Sequence, residues 1–296
     1  MSKVINIEVT RRCNLNCRYC YLSCSPLHST HLSKNDLLLF LKKFSDVGED
    51  IMFTGGEIFC VDYIDDVIKF ANDLGLKVSI FTNGTLAQNH MGIINDYVDM
   101  VHTSLDGICE IHDKLRGAGT FFKTSMFLKE LKDMGKPYGL QCMFIPESFN
   151  HINEIYSTLM SYNPRHIRLS HITELGRGKY SEYCLKSAEK KQLVDVANLM
   201  YEWNLYQVPI VTNLMHRDTY NEIFKEYIYD MALWLQSDGK ITLIQNDVNS
   251  LILSDISTFP NIRDDYRELI ESILNHINQS TDEVLDIMEL MSEVII

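Results

Sequence analysis

The chain has 296 residues, 46% of them hydrophobic, with 27 Lys and Arg against 40 Asp and Glu, a formal net charge of −13. This is the length of one large α/β domain or of a domain with an extension, and its apolar content is ample for a packed core. The acidic surplus argues against a general binder of nucleic acid or of anionic membrane, both of which call for basic surface.

From the N-terminus, strands alternate with helices. Short apolar or alternating runs predict strands over residues 5–9, 51–53, 77–81, 100–104, 139–145 and 166–170. Between them apolar residues recur at helical spacing. Leu37, Phe40, Leu41 and Phe44 follow a Ser33/Asp36 capping pair, and Ile64, Val67, Ile68, Ala71 and Leu74 end at Gly75. Further helices fit residues 86–97, 122–134 and 151–162. Six such alternations imply a parallel sheet with right-handed crossovers, with chemistry at the C-terminal strand ends. From about residue 186 the rhythm changes. A long helix is expected over 188–203, strands over 240–244 and 248–256, and helices over 267–277 and 282–294. The apolar stripe Val284, Ile287, Met288, Met291 and Ile295 reads as core or dimer contact. No signal peptide is read before the first strand, and no apolar run approaches a membrane span.

The chemistry gathers at strand ends. Cys13, Cys17 and Cys20 stand at Cys-x3-Cys-x2-Cys spacing directly after the first strand. Three soft thiolates on one tight loop suit iron-sulfur or zinc. A four-iron cluster normally takes four thiolates, so three leave one iron open, whereas a structural zinc would need a fourth ligand from elsewhere. The spacing favours iron-sulfur. The other five cysteines, Cys24, Cys60, Cys109, Cys142 and Cys184, are scattered, form no disulfide framework and fit a reducing cytoplasm.

Three more motifs close later strands. Thr54-Gly55-Gly56-Glu57 ends the second, and paired glycines there let a ligand approach the backbone closely, although an ordinary turn reads the same way. Thr82-Asn83-Gly84 ends the third, where Asn-Gly is a common turn. The fourth is followed by Ser104-Leu105-Asp106-Gly107, His112-Asp113 and Arg116-Gly117-Ala118-Gly119-Thr120-Phe121.

Together these motifs resemble the radical S-adenosylmethionine (SAM) enzymes, and the fourth-strand pattern resembles the branch of sulfatase-maturing enzymes and peptide maturases with SPASM or twitch auxiliary domains. The resemblance implies a partial (β/α)6 TIM-like barrel over residues 1–185 with a small α+β extension over 186–296. It implies one 4Fe-4S cluster on Cys13, Cys17 and Cys20, with SAM on the open iron. SAM would be cleaved there to a 5′-deoxyadenosyl radical that abstracts a substrate hydrogen. The SAM contacts it implies are Tyr19, Gly55, Gly56, Glu57, Asn83, Ser104, Asp106 and Arg116. Glu57 would receive the amino group, Ser104 the ribose and Arg116 the carboxylate, a geometry suited to a guanidinium fork. Gly176-Arg177-Gly178 resembles the step where this branch leaves the barrel, with a plain surface turn as the competing reading.

One departure narrows the chemistry. Residues 231–243 resemble an auxiliary-domain segment bounded by cysteines in that branch, yet no cysteine follows Cys184. A twitch-like extension without its own cluster is therefore expected. Reactions needing no second cluster gain weight: epimerisation, or ring closure of a ribosomally made peptide. Cys142 and Cys184 are candidate hydrogen donors, against the bland reading of small core residues. No leader-binding segment is read before the barrel, so a peptide would be recognised by the C-terminal part or by a partner. The rival readings are a radical SAM enzyme of a small metabolite, such as a sugar nucleotide or amino acid derivative, and a non-catalytic cluster- or zinc-binding regulator. A flavodoxin or ferredoxin donor follows from the resemblance, and the cysteine usage already fits a cytoplasmic location.

Overall fold

The structure is a computed structural model and describes residues 4–46, 48–212, 214, 233–244 and 250–255. The chain alternates β1 (Val4–Thr10), α1 (Lys34–Phe44), β2 (Asp50–Gly55), α2 (Ile64–Asp73), β3 (Lys77–Thr82), α3 (Met91–Tyr97) and β4 (Met100–Ser104). Two helices follow, α4 (Cys109–Arg116) and α5 (Thr120–Asp133), then β5 (Tyr138–Phe144), α6 (Ile152–Ser161), β6 (His166–His171), α7 (Ser187–Trp203) and β7 (Ile210–Thr212). Three further strands are β8 (Leu233–Leu235), β9 (Lys240–Ile244) and β10 (Ser250–Asp255).

All ten strands form one sheet in the order β10-β9-β8-β1-β2-β3-β4-β5-β6-β7. Every pairing from β8 across to β7 is parallel, and β9 runs antiparallel to both its neighbours. This is the partial barrel expected, extended at both edges. Strand β7 adds to one edge beyond β6, and the β8–β10 meander adds to the other beside β1. Neither β7 nor β8 was legible as a strand, since three residues are too short for a period to show. The strands expected over 240–244 and 248–256 correspond to β9 and β10, whereas the two helices and the apolar stripe expected after residue 267 lie outside the described residues.

The sheet has two chemically different faces. Along one, Ile7, Phe53, Ile80 and Val101 lie in register, each at most 1% exposed. This face packs against helical stripes such as Leu37, Phe40 and Leu41 of α1 and Ile64, Val67 and Ile68 of α2. The alternate positions include Asn6, Glu8, Ser79, His102, Ser104, Gln141 and Arg168, interspersed with Met52, Phe81, Met100 and Met143. A parallel sheet buried by helices on both sides reads as continuous apolar runs. Polar alternation here marks a face turned away from the helices and left for a site.

Local signals set several boundaries. Ser33 caps α1, its side chain accepting from Asp36 N at 3.1 Å. Gly75 follows α2 with φ +80°, a conformation costly for other residues. Helix α4 falls where the sequence showed only loop-like motifs: its polar outer positions hide the apolar pair Ile111 and Leu115 that packs inward.

Candidate functional site

The three cysteines lie on a loop that leaves the C-terminal end of β1 and is anchored from several sides. Arg11 N donates to Thr30 O at 3.0 Å, Cys13 N to Ser25 O at 3.1 Å and Arg18 N to Leu115 O at 2.9 Å. Gly55 and Gly56 form a socket for its root. Gly56 N donates to Thr10 O at 2.7 Å and Glu57 N to Arg12 O at 3.0 Å. A Cβ at Gly55 would lie 2.3 Å from Thr10 O, and one at Gly56 2.3 Å from Arg12 O. The close approach that the glycines permit is thus the approach of the cysteine loop's own backbone.

The donor set fits a metal. Burial pushes the Cys13 thiol up to about 12 and raises Cys17 as well. Their thiolates are therefore unfavourable unless a cation is bound to them. Cys20 is lowered, first by a hydrogen bond with the Cys24 thiol. Among the described residues no three Cys, His, Asp or Glu side chains are already gathered as a cage. The loop brings three cysteines to one strand end, and a metal held there would have to complete the assembly with its own bonds.

Glu57 is fully buried, and its two oxygens accept from Phe59 N at 3.3 Å, Thr82 Oγ1 at 2.7 Å and Asn83 N at 2.7 Å. Burial pushes its carboxyl up to about 7. The resemblance reserved this side chain for the amino group of SAM; the fold uses it to tie the end of β2 to the end of β3. Asn83 carries the tie onward. Its Nδ2 donates to Asn14 Oδ1 at 3.0 Å and lies 3.8 Å from Cys13 Sγ, while Oδ1 accepts from Thr85 N at 2.9 Å.

The end of β4 holds a second cluster of bonds. Asp106 is fully buried and accepts from Tyr19 Oη at 2.9 Å, Arg116 Nε at 2.6 Å and Met143 N at 3.0 Å. Arg116 Nη2 also bonds the Tyr19 hydroxyl. Burial acts to raise the Asp106 carboxyl, but Arg116 and His112 beside it hold it below the usual carboxylate range. Asp106 N donates to His112 Nδ1 at 3.1 Å, so the neutral ring carries its proton on Nε2. The Arg116 fork that the resemblance turns to a SAM carboxylate is, through Nε and Nη2, turned to Asp106 and Tyr19. Tyr19 and Asp106 likewise bond to each other, fastening the cysteine loop to β4. Ser104 ends β4 on the polar face and is 4% exposed.

Cys142 shares its sheet face with Leu140 and Phe144, wholly inside the apolar core, and burial raises its thiol well above the usual range. It alternates with Gln141 and Met143, so it stands on the helix side and not on the polar face. Cys184 lies on the segment after β6, its thiol donating to Gly178 O at 3.5 Å. Glu8 was passed over in the sequence. It is 2% exposed and accepts from Arg11 Nε at 2.8 Å and from Ser237 Oγ at 2.5 Å, joining the strand below the cysteines to the β8–β9 turn. A carboxylate within a buried strand was the available signal.

The model of the Radical SAM superfamily matches residues 7–159. The chain is 30% identical over 199 residues to Fe-coproporphyrin III synthase of Methanosarcina barkeri, covering 65% of this chain and 50% of that protein. It is 31% identical over 151 residues to the sporulation killing factor maturation protein SkfB of Bacillus subtilis, covering 48% of this chain and 35% of that protein. The chain thus spans half or less of the length of these relatives. Its fold matches that of Streptococcus suis SuiB bound to the precursor peptide SuiA, with a TM-score of 0.69 and 16% identity, over 92% of this chain and 67% of SuiB. With a family match over more than half its length, a three-cysteine loop at the end of β1 and a parallel partial barrel, the chain belongs to the radical SAM superfamily of enzymes.

Proposed function

We propose that this protein cleaves SAM reductively at a 4Fe-4S cluster and modifies a ribosomally made peptide. Membership of the superfamily implies SAM and the cluster. We assign the cluster to Cys13, Cys17 and Cys20, with residues 1–185 as the catalytic core and 186–296 as an extension without its own cluster. When bound, the two groups supply a 5′-deoxyadenosyl radical able to abstract a substrate hydrogen. The residues of this chain do the placing. Gly55 and Gly56 seat the loop, Asn83 and Tyr19 fasten it, and Ser104 and Gln141 line the polar face beside it.

The observation that carries this reading is the anchoring of one three-cysteine loop by the ends of β2, β3 and β4 together. Anaerobic reconstitution with iron and sulfide, then dithionite and SAM, should give 5′-deoxyadenosine. Cys17→Ala should lose both iron and that product. A Cys17→Ala protein that still cleaves SAM would refute the ligand assignment, and a loaded wild-type cluster with no cleavage would favour the regulatory rival.

The peptide substrate is supported by the likeness to SkfB, a maturation protein, and by the SuiB fold, seen with a precursor peptide. The relative named Fe-coproporphyrin III synthase supports a second reading, a small-molecule substrate. Mass spectrometry of a short peptide encoded beside this gene and co-expressed with it separates the two. A mass change reports ring closure, an unchanged mass with inverted stereochemistry reports epimerisation, and an untouched peptide favours the small molecule.

A further inference from the structure

The turn Gly176-Arg177-Gly178, beyond β6, meets the cysteine loop at close quarters. Arg177 Nε donates to Cys17 O at 2.8 Å and Nη2 to Cys24 O at 2.7 Å. Its backbone N–H donates to Cys20 O at 3.0 Å. One residue thus bonds three loop carbonyls, two of them from cysteines assigned to the cluster. The C=O and N–H of a trans peptide point in opposite directions. The peptide between Cys17 and Arg18 is therefore gripped on both sides, by Arg177 at its carbonyl and by Leu115 O at its N–H, 2.9 Å away. The flanking glycines make the fit possible. A Cβ at Gly176, where φ is +52°, would stand 2.2 Å from Tyr21 O, and one at Gly178 would stand 2.3 Å from Thr173 O. A plain surface turn needs none of these contacts.

A guanidinium offers a planar fork of donors, which two carbonyls from different parts of a loop can share; an ammonium offers the same charge without the fork. Outer-shell groups of this kind orient metal ligands, and nearby charge sets the potential of an iron-sulfur cluster. We propose that Arg177 is a positioning residue for the cluster: its fork holds the Cys17 and Cys24 carbonyls, and with them the loop between, in place before metal binds, and its charge stabilises the reduced, more negative cluster. The second half rests on the assignment of the cluster to this loop; the first does not.

The test compares full-length wild type with Arg177→Met and Arg177→Lys. In the metal-free proteins, hydrogen exchange across residues 13–25 should quicken about tenfold or more in Arg177→Met, as lost bonds lower the cost of local opening. After reconstitution, a redox titration followed by electron paramagnetic resonance should place the cluster of Arg177→Met at a more negative midpoint. Arg177→Lys should restore the midpoint while its loop still exchanges fast. Wild-type exchange in metal-free Arg177→Met overturns the clamp, whatever the cluster does, and a wild-type midpoint in that variant overturns the electrostatic role. A thermal melt of each metal-free variant separates loop opening from global unfolding. Should Arg177→Met fail to fold, Arg177→Lys decides, because wild-type loop exchange there removes the fork from the argument. Fast exchange in Arg177→Met beside a wild type that binds no iron would leave the clamp standing and remove the cluster.

Discussion

Two carboxylates sit at the ends of strands that flank β3, Glu57 after β2 and Asp106 after β4, both fully buried and both bonded by several donors. They titrate in opposite directions. Glu57 receives hydroxyl and backbone donors with no cation among them, and it is pushed up to about 7. Asp106 receives the Arg116 guanidinium as well and is held low. Burial and hydrogen bonding are shared, so the counter-charge makes the difference. The lesson extends to the cysteine loop between them. On the Glu57 side the loop is seated by neutral backbone contacts and glycines; on the Asp106 side it is locked by a buried ion pair.

Removing the counter-charge should have the largest effect. Arg116→Met leaves Asp106 buried and unpaired, a change that costs about 3–5 kcal/mol, read by urea unfolding of the metal-free protein. The same variant should make Asp106 titrate upward as Glu57 does. In the wild type the Asp106 contribution is present above the ordinary carboxylate pKa of about 4 and is lost as pH falls through its lowered folded value.

Glu57 works with the opposite sign. Its folded pKa is raised from 4.5 to about 7, so folding takes up a proton and stability falls as pH rises between those values. The span corresponds to about 3 kcal/mol. Glu57→Gln should flatten the stability profile of the metal-free protein over that window, and an unchanged slope would show that Glu57 is not its source.

The backbone socket comes next. Gly55→Ala adds a Cβ against Thr10 O at a residue with φ +133°, and overpacking of this kind costs about 1–3 kcal/mol. Iron loading should fall more than stability does, because the displaced segment is the root of the cysteine loop. The smallest effect belongs to Cys142→Ala, about 1 kcal/mol as for an ordinary small core truncation. Its 5′-deoxyadenosine yield and peptide product should match wild type; loss of product with intact SAM cleavage would return Cys142 to the role of hydrogen donor.

Much of this molecule is written locally. The six core strands, the helices between them apart from α4, the Ser33 cap and the three-cysteine loop follow from periods and spacings within about a dozen residues, because backbone propensity and amphipathic burial act over that range. The reading of the loop as a metal-binding element is equally local, since three thiols on one turn share a chemistry wherever they fold. What each polar side chain bonds was decided elsewhere. Tyr19 and Asp106 are 87 residues apart, Arg177 and Cys17 160, Ser237 and Glu8 229. Among the motif residues that resemblance aimed at a cofactor, Glu57 bonds Thr82 and Asn83, Arg116 bonds Asp106 and Tyr19, and Cys142 falls on the helix side of β5. A parallel sheet stacks distant segments side by side and gathers their C-terminal ends, so partners at those ends are set by strand order and register. Neither is encoded in any single stretch of chain.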